Sequence, residues 1–160
     1  MLDRDEAVRL IKEKGLDEGL TAHCLQTEAV LRNLAERLGR DPQIWGVTGL
    51  LHDLDYPQTK DDPSRHGLLS AQELAESLPE DALQAIRAHN SEENGTRPAD
   101  EFDYALRCGE SVTGLISANA LVRPQGMDGM KPSSLKKKMK DKSFAAGVSR
   151  ERIRECEKIG

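Results

Sequence analysis

The sequence predicts an all-α fold in a single domain, and three observations lead there. At 160 residues the chain has the usual length of one domain, enough for one continuous core. Only five residues are aromatic (Trp45, Tyr56, Phe102, Tyr104 and Phe144), so Leu, Ile, Val and Ala must fill that core, a composition suited to helices. Apolar residues recur at spacings of three and four, and no segment alternates Val, Ile and Thr as a strand would. No internal repeat is present.

Asp3 with Glu6 forms a capping-box pattern ahead of Ala7, Val8, Leu10 and Ile11, and Gly15 stops this first helix. A second helix over 18–38 follows from Leu25, Ala29, Leu31, Leu34, Ala35 and Leu38, with Gly39 as its stop and His23 near its start. Asp41-Pro42 supplies an N-cap and a first-turn proline to QIWGVTGLLHDL, which is apolar almost all round and therefore central. Residues 54–65, with two prolines and several Asp, read as a loop. Two helices are expected over 67–77 and 80–89, parted at Pro79, then a polar loop NSEENGTRP and a long helix over 100–121 carrying Leu106, Val112, Leu115, Ile116 and Leu121. A Gly/Pro-rich loop leads to two short terminal helices, for which Ser133 and Ser149 are the candidate caps.

The formal net charge of −5 divides unevenly. Residues 1–122 carry 12 Lys/Arg against 23 Asp/Glu, a net of −11, whereas residues 123–160 carry 11 against 5, a net of +6. The basic run KKKMKDK at 136–142 is either a solvated helix face or an attractor for an anionic substrate. The acidic whole, without aromatics among its cations, argues against nucleic-acid binding. Cys24, Cys108 and Cys156 form no C-x-x-C pair and read as reduced thiols. With no apolar run of signal or membrane-spanning length, a cytoplasmic location is expected and no membrane partner.

The four histidines, His23, His52, His66 and His89, all fall at expected helix ends or helix-loop junctions. Imidazole and carboxylate are the donors that hold divalent first-row ions in hydrolytic sites. His52-Asp53 stands where the apolar third helix leaves the core, and the order continues with His66, His89 and an acid at Glu110. Asp55, Asp61 and Asp62 read first as turn formers, with orientation of a histidine as the other role open to them.

The order H…HD…H…H…D/E, together with GLLHDLDY, AHN, RCGESVTGLISANALVRP and SSLKKKMKDKSFAAGV, resembles the HD superfamily of metal-dependent phosphohydrolases, in particular small single-domain prokaryotic members. The resemblance implies an HD-type helical bundle over 1–160, with 123–160 as a basic extension packed on or near the site. It implies His23, His52 and Asp53 as ligands of a first ion and His66 and His89 as ligands of a second, bridged by Asp53. The fourth family ligand is an aspartate three residues before a Thr-Gly dipeptide; ahead of Thr113-Gly114 that position is Glu110, whose extra methylene extends the carboxylate by about 1.5 Å.

The resemblance further implies one or two divalent ions (Mn, Fe, Co, Ni, Zn or Mg) and cleavage of a phosphoester, a nucleotide monoester or a small phosphodiester, by a metal-activated hydroxide held near Asp53. His66 or His89, if free of metal, is a candidate general acid. Lys60, Arg65, Arg123 and Lys131 are the candidate phosphate-binding cations. Two other classes stay open: a regulatory module that holds metal and ligand without turnover, for which Glu110 is the support, and a di-iron oxygenase, which two irons per chain would reveal. The substrate and oligomeric state have no signature in the sequence.

Overall fold

In the computed structural model, which describes residues 2–160, the expected helices form in the expected order, with two short ones, α4 and α7, inside expected loops: α1 (Arg4–Glu13), α2 (Glu18–Leu38), α3 (Pro42–Leu51), α4 (Tyr56–Thr59), α5 (Leu68–Glu73), α6 (Glu80–Ala88), α7 (Ser91–Asn94), α8 (Glu101–Leu121), α9 (Pro132–Lys140) and α10 (Arg150–Arg154). Single 3-10 turns cover Pro63–Arg65 and Glu155–Lys158, and there is no strand among the described residues. The architecture is therefore the all-α single domain expected.

The starts and stops follow local chemistry. The Asp3–Glu6 capping box is complete, Asp41 accepts from the amides of Gln43 and Ile44, and Ser149 accepts from that of Arg152. Gly39 closes α2 in the left-handed region at φ 66°. Ser133 does not cap α9: the helix begins one residue earlier at Pro132, whose fixed φ starts the turn, and Lys131 ahead of it offers no side-chain cap. The 54–65 and 90–99 loops are more ordered than expected, each containing a four-residue helical turn.

Helix α2 lies against both α3 and α8. Leu31, Leu50, Leu51, Leu54, Ile86, Leu106 and Leu115 fill the interior, and Trp45 stacks on Phe102 with ring centres 4.6 Å apart. Gly49 permits the close crossing of α2 and α3, since a Cβ there would lie 3.1 Å from the Thr27 carbonyl oxygen. The near-continuous apolar run of α3 thus reflects contact on all sides, and only its C-terminal end opens toward other chemistry.

The C-terminal segment is tied to α8. Buried Arg107 pairs with Glu155 at 2.6 Å and with Glu92 at 2.6 Å, and donates to the carbonyls of Ala88 and His89. Arg150 winds residues 141–148 around its guanidinium, donating to the carbonyls of Asp141, Phe144, Ala145 and Val148. Among the described residues no helix is long and apolar enough to cross a membrane.

Candidate metal centre

Four imidazoles and one carboxylate meet at the ends of α3 and α6. His52 and His89 each follow the last residue of a helix, α3 and α6 respectively, still in helical conformation. Helix C-termini leave carbonyls without intrahelical partners, and both rings use the same remedy. The Nδ1–H of His52 donates to the Gly49 carbonyl at 2.8 Å, and that of His89 to the Ile86 carbonyl at 2.6 Å. Each Nε2 is thereby left as a lone-pair donor facing the centre.

The other two rings are fixed the same way by different partners. The Nδ1–H of His23 donates to Thr113 Oγ1 at 3.1 Å, while that hydroxyl donates to the Glu110 carbonyl. His66 Nδ1 donates to Asp55 Oδ1 at 2.8 Å. All four Nε2 atoms surround Asp53, and its two oxygens divide them. Oδ2 lies 3.3 Å from His52 and 3.7 Å from His23, whereas Oδ1 lies 3.2 Å from His66 and 3.4 Å from His89. The paired nitrogens are 3.2 Å apart for His23–His52 and 3.0 Å apart for His66–His89.

This donor set fits divalent ions. Donors about 2.1 Å from one ion stand about 3.0–3.4 Å apart at octahedral to tetrahedral angles, close to the spacings found. Among the described residues there are two three-donor groups, His23–His52–Asp53 and Asp53–His66–His89, sharing one carboxylate. Electrostatics agree. Burial pushes the His52 imidazole down to about 3, so it stays neutral. Burial would raise the Asp53 carboxyl, but His52, His66 and His89 outweigh it and hold the group well below its ordinary range. Burial also disfavours a charged His66, yet its hydrogen bonds to Asp53 and Asp55 prevail and raise it to about 9.

Asp55 does more than form a turn. It is buried, and besides His66 it accepts from the Gly67 and Ser70 amides at 2.9 and 3.0 Å, capping α5 from a distance and orienting a ligand with the same carboxylate. Asp61 and Asp62 are exposed, as turn formers are. Gly67, at φ 83°, has no room for a side chain: a Cβ would sit 2.7 Å from the Ile86 carbonyl oxygen that His89 uses. Asn90 and Asn94 complete the frame, donating to the carbonyls of Pro63 and His66 respectively. Asp55→Asn is expected to lower affinity for the second ion about 10- to 100-fold while sparing the first, since the amide no longer matches the Nδ1–H of His66 and the amides of α5 together. Stoichiometric metal titration of the variant checks this; equal loss at both sites contradicts it.

Glu110 departs from the expected ligand set. Its carboxylate is outside both three-donor groups; Oε1 accepts from Ser111 Oγ at 2.6 Å and meets Arg152 at 3.4 Å. Arg152, which α10 brings over α8, pairs closely with Glu92 and reaches Glu110 at longer range. Arg152 was not among the candidate cations, and its signal in the sequence was only its place three residues after the Ser149 cap. It lines a cavity of about 480 Å³ that opens on His23 and is also bounded by Glu92, Gly114 and the 147–149 loop. Lys60, Arg65, Arg123 and Lys131 line neither this cavity nor a neighbouring one at His23. Lys60, Arg65 and Lys131 are exposed, and Arg123 donates to the Asp128 carbonyl. Cys24 and Cys108 are buried thiols, raised by burial (Cys108 to about 12), and serve as small core residues.

An all-helical domain whose four histidines form two groups able to hold a metal, around one shared carboxylate, has the donor set of a divalent-metal site. The family model described as HD domain matches residues 20–141, a span holding every residue of both groups, and the chain belongs to that family. No curated protein and no solved structure matches the chain.

Proposed function

We propose that the protein is a metal-dependent phosphohydrolase that cleaves a phosphoester. The observation that carries this reading is the division of Asp53, one oxygen toward each histidine pair, which suits two adjacent ions around a reacting phosphate. When bound, divalent ions supply acidification of a water and neutralisation of phosphate charge. In the reaction, water oxygen adds to phosphorus, the bond from phosphorus to the leaving oxygen breaks, and a proton ends on that oxygen.

The chain's own residues account for the rest. Asp53, kept anionic, accepts hydrogen bonds at the centre of the site. His52, kept neutral, remains a donor of its Nε2 lone pair at every working pH. His66, if it held no ion, would be a candidate to protonate the leaving oxygen through the Nε2 that faces Asp53. Arg152 is the cation at hand for a phosphate oxygen in the adjoining cavity, in exchange for its contact with Glu110. The basic residues of 123–160 would act through the field they set up around an otherwise acidic body.

Assay of the purified protein against aryl phosphates, nucleotides and small phosphodiesters with Mn, Fe, Co, Ni, Zn and Mg tests the proposal, and absence of turnover with every ion would overturn it. A second reading, a module that holds metal and ligand without turnover, draws on Glu110 standing where the family has an aspartate and on its place outside both three-donor groups. If Glu110→Asp converts an inactive protein into an active one, that reading replaces the first.

A pH dependence follows from His66. Its folded-state value of about 9 is above the ordinary 6.5, so the metal-free protein carries the proton at neutral pH and must release it when the second ion binds. Apparent affinity for that ion is expected to fall about tenfold per pH unit below 9, with one proton released per ion. For the metal-free fold the sign is opposite: the stabilisation from charged His66 is complete below pH 6.5 and disappears as pH rises through 9. Calorimetry in buffers of different ionisation enthalpy counts the proton, and melting of chelated protein from pH 6 to 10 reads the stability.

A further inference from the structure

We propose that the part of the substrate beyond the phosphate is an uncharged aliphatic group, seated in a groove between α2 and α8 that begins at His23. This rests on the phosphohydrolase reading and narrows its substrate class. The groove is a cavity of about 710 Å³ in which Ala22 and Gln26 of α2 face Gly114 and Ala120 of α8, with Leu121 and Met127 at the rim. A further 280 Å³ shares Gln26 and Met127 and continues between the same two helices past Val30 and Ile116. The larger volume is within the range that holds a small-molecule ligand.

Four features point to the occupant. First, His23 and Gly114 line both this groove and the cavity containing Arg152, so each hollow adjoins one histidine of the Asp53 centre. Second, no charged side chain lines either apolar hollow, in a chain that is 32% charged, whereas the Arg152 cavity carries four glutamates. Third, Ser117 Oγ donates to Gln26 Oε1 at 2.7 Å, which pairs the one hydroxyl of the groove with the amide oxygen facing it. Fourth, no aromatic ring other than His23 borders the groove, which leaves a nucleobase nothing to stack on. Leu121 and Met127, 87% and 60% exposed, are large apolar side chains left in water, and an aliphatic chain passing beneath them would cover that surface.

The experiment is a chain-length series with Mn-loaded protein: methyl, butyl, hexyl and octyl phosphate, beside adenosine monophosphate and an aryl phosphate. The expected result is a rise in kcat/KM of about fourfold per methylene until the groove is filled, with octyl phosphate above adenosine monophosphate. A flat series, or a preference for the nucleotide, overturns the groove while leaving hydrolysis intact. If no phosphate at all is cleaved, the phosphohydrolase reading fails, and binding decides the groove separately: by calorimetry octylphosphonate should bind at least 100-fold more tightly than methylphosphonate, and equal affinities overturn the proposal. Ala120→Phe, which fills the hollow, should bring the octyl-to-methyl ratio close to one. Met127→Gln, on the exposed rim where folding is not at stake, should lower it about tenfold. A dimer that Met127→Gln dissociates, without any chain-length dependence, would assign the groove to a second copy of the chain and overturn it as a substrate site.

Discussion

Asp53→Asn is expected to empty both ion sites in one step. The variant keeps the shape of the side chain but removes its negative charge and turns one of its two acceptors into a donor. Each oxygen serves a different histidine pair, Oδ2 that of His23 and His52 and Oδ1 that of His66 and His89, so whichever side receives the amide nitrogen loses its third ligand. The other side keeps an oxygen without the charge. Turnover should fall by at least about a thousandfold, corresponding to roughly 4 kcal/mol of lost transition-state stabilisation. Elemental analysis should find less than one ion per chain. The fold should survive, because the amide keeps the shape of the side chain, although the metal-free protein loses the stabilisation that the anion draws from the imidazoles around it. A variant with native metal content and native turnover would remove Asp53 from the centre.

Arg107→Met is expected to produce the largest loss of stability. The guanidinium is almost wholly buried, bonds two carboxylates and Ser91, and holds the carbonyls of Ala88 and His89. Methionine matches much of the volume but none of the five donors. Removing one partner of such a network typically costs 3–5 kcal/mol, and a value near the lower end, about 3, is expected because Glu92 is half exposed and can regain water. The melting temperature should drop roughly 6–12 °C. Since α10 and the end of α6 lose their common anchor, affinity for the second ion should fall together with stability. A melting temperature within a degree of the native one would show that the network contributes little.

The two variants touch residues of different legibility. His52 and Asp53 are visible in sequence because an apolar helix has no other reason to end on two adjacent polar residues that remain buried. His23, His66 and His89 become meaningful by order. The expectation for Glu110 follows from its position before Thr113-Gly114, whereas its contact with the cation that α10 carries over α8 has no mark in sequence. Arg107 and Arg152 were passed over for a related reason: an arginine becomes a structural anchor or a cavity wall only through carboxylates 15, 42, 48 or 60 residues away. Asp55 reads first as a turn former in sequence because its three amide and imidazole partners lie 11 to 15 residues further along the chain.

The six-residue ligand set followed from the family resemblance, and five of those side chains gather at the centre. By itself the sequence determined the helical class, the order of the main helices, the caps of α1, α3 and α10, the central place of α3, and the histidines at helix ends and junctions. These are local properties, set by the spacing of apolar residues, by capping side chains and by imidazoles placed at helix ends where a carbonyl needs a proton. Only the tertiary structure decided that Asp53 divides its oxygens between two histidine pairs, that Glu110 turns to Arg152, and that an uncharged groove leads away from His23. Those depend on distances between segments far apart in the chain, which the packing of α2, α3 and α8 settles through close contact and which no local pattern encodes.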